Sequence, residues 1–200
     1  SGTLRINGTL DFEATTAYNL TVEVSDGLHT LTDTYTVNIT DIDESPVIDT
    51  TTTTFSIDEN SAAATSVGFI VAADPEIAGL TYSIVGGTGA SDFYIVGNEI
   101  RANGTALDFE GINSLTVDVS VDDGTSTPSI QTYTINLNNL DDEAPTLPTN
   151  AGAAVNEGAT ATVITPAMLA ANDLDTGNAG LVFTVTTIPV NGVLKLNGTP

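Results

Sequence analysis

The chain has 200 residues, enough for one large or two small domains, with a formal net charge of −23 and 40% hydrophobic residues. That charge excludes nucleic acid and anionic membrane surfaces as partners, since both are repelled, and the apolar content excludes a disordered acidic tail. Cysteine is absent, so the fold must rest on packing or on oxygen-bound metal in any compartment. No apolar run reaches a membrane-spanning length, so no membrane insertion is expected. Ser1-Gly2-Thr3-Leu4 lacks a signal-peptide pattern, and the chain reads as a piece of something longer.

In chain order, residues 20–24 and 35–39 alternate apolar and polar as half-buried strands do. Residues 50–54 are a threonine run that predicts an extended lead into a further strand. The alternation returns at 80–84, 117–121, 133–137 and 181–185, with Gly, Asn, Asp and Thr between. The one exception is 165–171, where a capping Thr165, a first-turn Pro166 and the formers Ala167, Met168 and Leu169 predict a short helix. Met168 reads as a core filler.

A repeat underlies this pattern. Leu10-Asp11-Phe12-Glu13 recurs 97 residues on as Leu107-Asp108-Phe109-Glu110, and Asp26-Gly27 recurs at the same spacing as Asp123-Gly124. Glu157 follows Glu59 by 98 residues, and Asp173 follows Asp74 by 99. The three basic residues, Arg5, Arg101 and Lys195, each precede an Asn-Gly turn at one repeat position. The expected organisation is therefore the back half of a unit at 1–44, a complete unit at 45–143 and the front half of another at 144–200.

Two acidic stretches separate these units, Asp41-Ile42-Asp43-Glu44-Ser45-Pro46 and Asn139-Leu140-Asp141-Asp142-Glu143-Ala144-Pro145. Each closes an alternating run and ends in a proline that removes a ladder donor. Carboxylates about 4 Å apart repel by about 4 kcal/mol at an effective dielectric near 20. With three bases in the chain, the natural counter-charge is a hard divalent cation held by oxygens.

These motifs resemble cadherin and bacterial cadherin-like repeats. That family pairs an early xEN or xEG glutamate with a DxDxGxN loop, an LDxE motif, an AxDxG motif and a DxNDNxP linker. Here the glutamates are Ile57-Asp58-Glu59-Asn60 and Val155-Asn156-Glu157-Gly158. The loops are Asp74-Pro75-Glu76-Ile77-Ala78-Gly79 and Asp173-Leu174-Asp175-Thr176-Gly177-Asn178, and Val24 and Val121 replace the AxDxG alanine. The resemblance implies an all-β array of tandem Greek-key sandwiches, cadherin- or immunoglobulin-like, with calcium at each junction. It assigns Asp11, Glu13, Asp41, Asp43, Glu44, Asp74, Glu76 and Asp123 to the first junction. To the second it assigns Glu59, Asp108, Glu110, Asn139, Asp141, Asp142, Glu143, Asp173 and Asp175, while Asp26 and Glu157 would serve junctions further out. The first linker is one residue shorter than the family pattern and the second opens with Asn139, which leaves the ion count per junction open. Residues such as Thr165-Pro166, Leu169, Leu181-Val182-Phe183 and Pro189-Val190-Asn191-Gly192-Val193-Leu194 also make the last unit similar to the cadherin-like repeat of chondroitin-sulphate-proteoglycan-type proteins.

Other chemistries fit less well. His29, the single histidine, lies between Asp26 and Asp33 and reads as a solvated turn residue. Paired carboxylates could serve a glycosidase, but Trp is absent and the acidic clusters repeat with the domain period, so no enzymatic activity is expected. The Asn-x-Thr triplets at Asn7, Asn19, Asn38, Asn103 and Asn197 would be glycosylation acceptors in a eukaryotic secretory pathway, but three are Asn-Gly-Thr at the repeated turn, so turn chemistry explains them first, and solvation explains Glu23 and Asp118. The expected function is a calcium-rigidified repeat of a large extracellular or surface adhesin, as spacer or in cell adhesion. Its partners would be neighbouring repeats and a cell-surface or matrix ligand. The alternative is a filament or sheath subunit whose half-domains complete those of identical neighbours by strand addition. A third, an accessory module of a polysaccharide-degrading enzyme, needs a catalytic part outside this sequence.

Overall fold

A computed structural model of the chain describes residues 5–76, 79–159, 162–177, 180–187 and 190–191. The first and last copies of the basic turn, with Lys195, lie wholly or partly outside these residues, as do Ile77, Ala78, Asn178 and Pro189. Contacts divide the chain into two compact units, Ser1–Asn138 and Asn139–Pro200.

In the first unit the alternating runs become ladders. β1 (Ala17–Ser25) and β2 (Thr30–Asn38) form an antiparallel hairpin. Its tip is closed by Asp26, whose Oδ1 accepts from the backbone N–H groups of Leu28 and His29 at 2.8 and 2.6 Å, and His29 is largely solvated. After the linker come β3 (Val47–Ile48), β4 (Thr54–Asp58), β5 (Ser66–Phe69), β6 (Ala72–Ala73) and β7 (Thr81–Gly86). These are followed by β8 (Phe93–Val96), β9 (Glu99–Ala102), β10 (Ser114–Asp122) and β11 (Ser129–Asn138).

They build a sandwich. One sheet has the order β4-β11-β10-β7, the other β5-β9-β8, and β3 pairs with β6. β4 runs parallel to β11, whereas β10 pairs antiparallel with β11 and β7. The threonine run leads into β4, as its β-propensity predicts. Period-two alternation turns Leu115, Val117, Val119 and Val121 of β10 inward with Tyr133, Ile135 and Leu137 of β11. Ile70, Phe93 and Ile100 join them in one core. Phe55 stacks on Tyr133 with ring centroids 5.6 Å apart. Gly68 of β5 makes room for this pair, because a Cβ there would run into the Phe55 ring.

The second unit contains β12 (Thr146–Asn150) and β13 (Leu169–Asn172), paired antiparallel. Two expectations change here. Residues 165–171 do not form a helix: Met168 and Leu169 donate to the Thr165 carbonyl at 2.8 and 3.0 Å, which makes one turn, and Leu169 then enters β13. A single turn has the entropy cost of nucleation and little propagation to offset it, so the ladder captures these residues. Residues 181–185 alternate but are not a strand, and Val182, Phe183 and Val185 stand exposed. Alternation makes a strand only where a partner supplies the hydrogen bonds, and no described strand pairs with this segment.

Candidate metal centre

Strand ends bring sequence-distant carboxylates together. In the first unit Glu13 sits in the turn preceding β1, Asp41 follows β2, and Glu76 lies in the loop after β6. One oxygen from each falls within 4.8 Å of the others. Asp74 shapes that loop: its Oδ1 accepts from the Glu76 N–H at 3.0 Å. Its Oδ2 and both Glu76 carboxylate oxygens are sealed from solvent without a hydrogen-bond donor among the described residues. Acceptors buried together in this way are costly unless a cation meets them.

The electrostatics agree with that geometry. Glu76 is pushed up to about 7, first by the adjoining Glu44 carboxylate, then by burial and by Asp74. Glu13 has a backbone hydrogen bond that pulls its pKa down, yet desolvation and repulsion from Glu44, Asp41 and Asp11 raise it on balance. Arg101 offers no relief here, since it is turned to Glu99, its Nε donating at 2.7 Å.

The remaining residues expected at this junction are not all gathered. Asp11 folds back to accept from the Ala14 N–H at 2.9 Å. Asp123 is occupied by its own turn: Oδ1 accepts from the N–H groups of Thr125 and Ser126 at 2.8 and 2.9 Å, and Oδ2 from the Ser126 hydroxyl at 2.6 Å. These donors, the Ser126 hydroxyl foremost, hold its carboxyl down at about 2. The same turn presents Thr125, whose hydroxyl donates to Asp43 Oδ2 at 2.7 Å. Sequence reading missed Thr125. Its repeat equivalent, Leu28, has no hydroxyl, so the repeat carried no signal for it.

At the other end of the sandwich, buried Glu59 accepts from the Phe109 N–H at 2.7 Å through Oε2. One oxygen of Glu59 lies within 4.8 Å of one from Glu110. Asp108 caps the same turn, its Oδ1 accepting from the Gly111 N–H at 2.9 Å. The early glutamate and the Leu-Asp-Phe-Glu motif, 50 residues apart at Glu59 and Phe109, thus form one site edge.

In the second unit Asp141, Asp173 and Asp175 place one oxygen each within 4.8 Å. Asp175 Oδ2 accepts from the N–H groups of Asp142 and Glu143, both at 3.0 Å. Asp173, buried, accepts through Oδ1 from the N–H groups of Asp175 and Thr176 and from the Thr176 hydroxyl. The linker and the Asp-x-Asp loop are thereby locked together. Asn139 opens this linker, exposed.

Comparison with known proteins agrees with the motifs. Residues 145–200 match the family described as cadherin-like. Over 156 residues the chain is 36% identical to protocadherin Fat 1 of Homo sapiens, which is 72% of this chain and 3% of that protein. The fold resembles extracellular cadherin domains 3–6 of protocadherin gamma B2, with a TM-score of 0.63 at 23% identity, covering 86% of this chain and 46% of that one. It also resembles the human desmocollin-1 ectodomain, with a TM-score of 0.59 at 22% identity over 86% and 35% of the respective chains. No described helix is long and apolar enough to cross a membrane. Motifs, sandwich and matches together make this a chain of cadherin-like repeats.

Proposed function

We propose that the chain is a calcium-rigidified spacer or adhesion segment of a large extracellular surface protein, organised as repeats at 1–44, 45–143 and 144–200. One observation carries this: Asp74 Oδ2 and both Glu76 oxygens are buried without donors, in a cluster with Glu13 and Asp41. Oxygen donors from three chain segments, tolerant in number and angle, suit calcium. Asp11, Asp43, Glu44 and Asp123 would complete or brace that site. By the repeat, Glu59, Asp108 and Glu110 with Asn139, Asp141, Asp142, Glu143, Asp173 and Asp175 would form the next. Bound calcium would neutralise the mutual repulsion at each linker and couple its flanking strands, so that the array stiffens.

The test is thermal unfolding and small-angle scattering in millimolar calcium and again in excess chelator. Calcium is expected to raise Tm and lengthen the particle, and Glu76→Ala to remove much of the Tm gain while the central sandwich still folds. A chain indifferent to calcium in both measurements would overturn the proposal.

A further inference from the structure

We propose that Thr125 is a positioning residue of the first acidic cluster: its hydroxyl, together with that of Ser129, clasps residues 43–46 and holds Glu44 at Glu76 before any cation arrives. The inference rests on calcium binding at Glu13, Asp41 and Glu76, and it adds a determinant of affinity that lies outside the carboxylates.

Residues 39–46 belong to no strand or turn, so their course is set by what they are tied to. Both ties come from the connection between β10 and β11. The Thr125 hydroxyl donates to Asp43 Oδ2 at 2.7 Å. Ser129, the first residue of β11, donates from its hydroxyl to the carbonyl of buried Pro46. Glu44 lies between the two ties, and its carboxylate adjoins Glu76, where it is the foremost cause of that group's raised pKa. Two like charges would part if the linker were free to swing. A clasp that keeps them together bears the repulsion and the ordering entropy before binding, so a cation that neutralises the pair meets an arranged site.

The clasp is fixed by its own turn. Asp123 accepts from the N–H groups of Thr125 and Ser126 and from the Ser126 hydroxyl, and Val121 just before it is fully buried in the core. The tip of the β1–β2 hairpin is built alike, with Asp26 accepting from the N–H groups of Leu28 and His29. Leu28 stands there at the repeat position of Thr125. Leucine is therefore compatible with this turn, and the turn forms without the hydroxyl. What the hydroxyl adds is the bond to Asp43, so the exchange Thr125→Leu separates the two roles.

Titration calorimetry of the chain with calcium tests this, with Tm in excess chelator measured alongside. Glu76→Ala identifies the binding step of this cluster as the one it abolishes. Thr125→Leu should move that step to about 3- to 10-fold higher calcium, the loss of about one hydrogen bond, and leave the remaining binding in place. Its Tm in chelator should equal or slightly exceed that of wild type, because the repulsion held by the clasp is relieved. Thr125→Ser, which keeps the hydroxyl, should bind as wild type does. A Thr125→Leu chain with wild-type affinity would overturn the clasp and leave calcium binding standing. So would a Thr125→Ser chain as weak as Thr125→Leu, or a fall in Tm in chelator that marks Thr125→Leu as a folding defect. A wild-type chain that takes up no calcium would overturn the clasp and the calcium site together.

Discussion

Asp123 shows how one carboxylate can serve its own turn first. Its folded pKa of about 2 lies below the ordinary 3.8, so its contribution to stability is present above about pH 4 and is lost as the pH falls through 2. In chelator, the wild-type chain should lose stability more steeply between those limits than Asp123→Asn, which has nothing to titrate there; equal slopes by chemical denaturation would refute this. Tyr133 makes the opposite case. Its ring fills the core against Phe55, but its hydroxyl is buried with no donor or acceptor among the described residues. Removing a stranded polar atom recovers its desolvation cost, so Tyr133→Phe should stabilise the sandwich by about 1 kcal/mol. The role of Glu59 was half legible: its motif marked it as a ligand, whereas its bond to the Phe109 N–H depends on a turn 50 residues away that only folding brings close.

At the scale of strands, β2 and β11 carry the same alternation, yet Ile135 is fully buried and Val37 only partly. Ile135→Ala should therefore cost about 2–5 kcal/mol in the cooperative unfolding of the sandwich. The same truncation at its counterpart, Val37→Ala, should cost about 1 kcal/mol or less. Alternation specifies which face of a strand is apolar, and β1, β2, β7, β10 and β11 were legible for that reason. It does not specify what lies opposite. The short strands β3, β6, β12 and β13 were not read from the sequence, because two to five residues hold too little periodicity to register. Residues 165–171 failed for a related cause: local helix signals were satisfied for one turn, and pairing of β13 with β12 then prevailed.

Across the molecule, a net charge of −23 against three basic residues means that any added salt relieves some self-repulsion. A specific site must therefore be separated from general screening. Sodium chloride at matched ionic strength acts on every exposed carboxylate alike and reaches the sealed oxygens of Asp74 and Glu76 poorly. Magnesium is divalent, but it demands near-octahedral geometry and keeps its waters, which a cluster of carboxylates from three segments is ill suited to satisfy. Calcium should then raise Tm most, magnesium less and matched sodium least. At about 100-fold over its Kd a calcium ion stabilises by about 2.7 kcal/mol per site. Glu76→Gln should reduce the calcium increment and leave the sodium increment nearly unchanged, because it removes a buried ligand and only one of 26 acidic charges. If sodium at matched ionic strength reproduced the calcium shift, the clusters would be acting through bulk electrostatics, and the acidic linkers would owe their spacing to the strand ends that carry them.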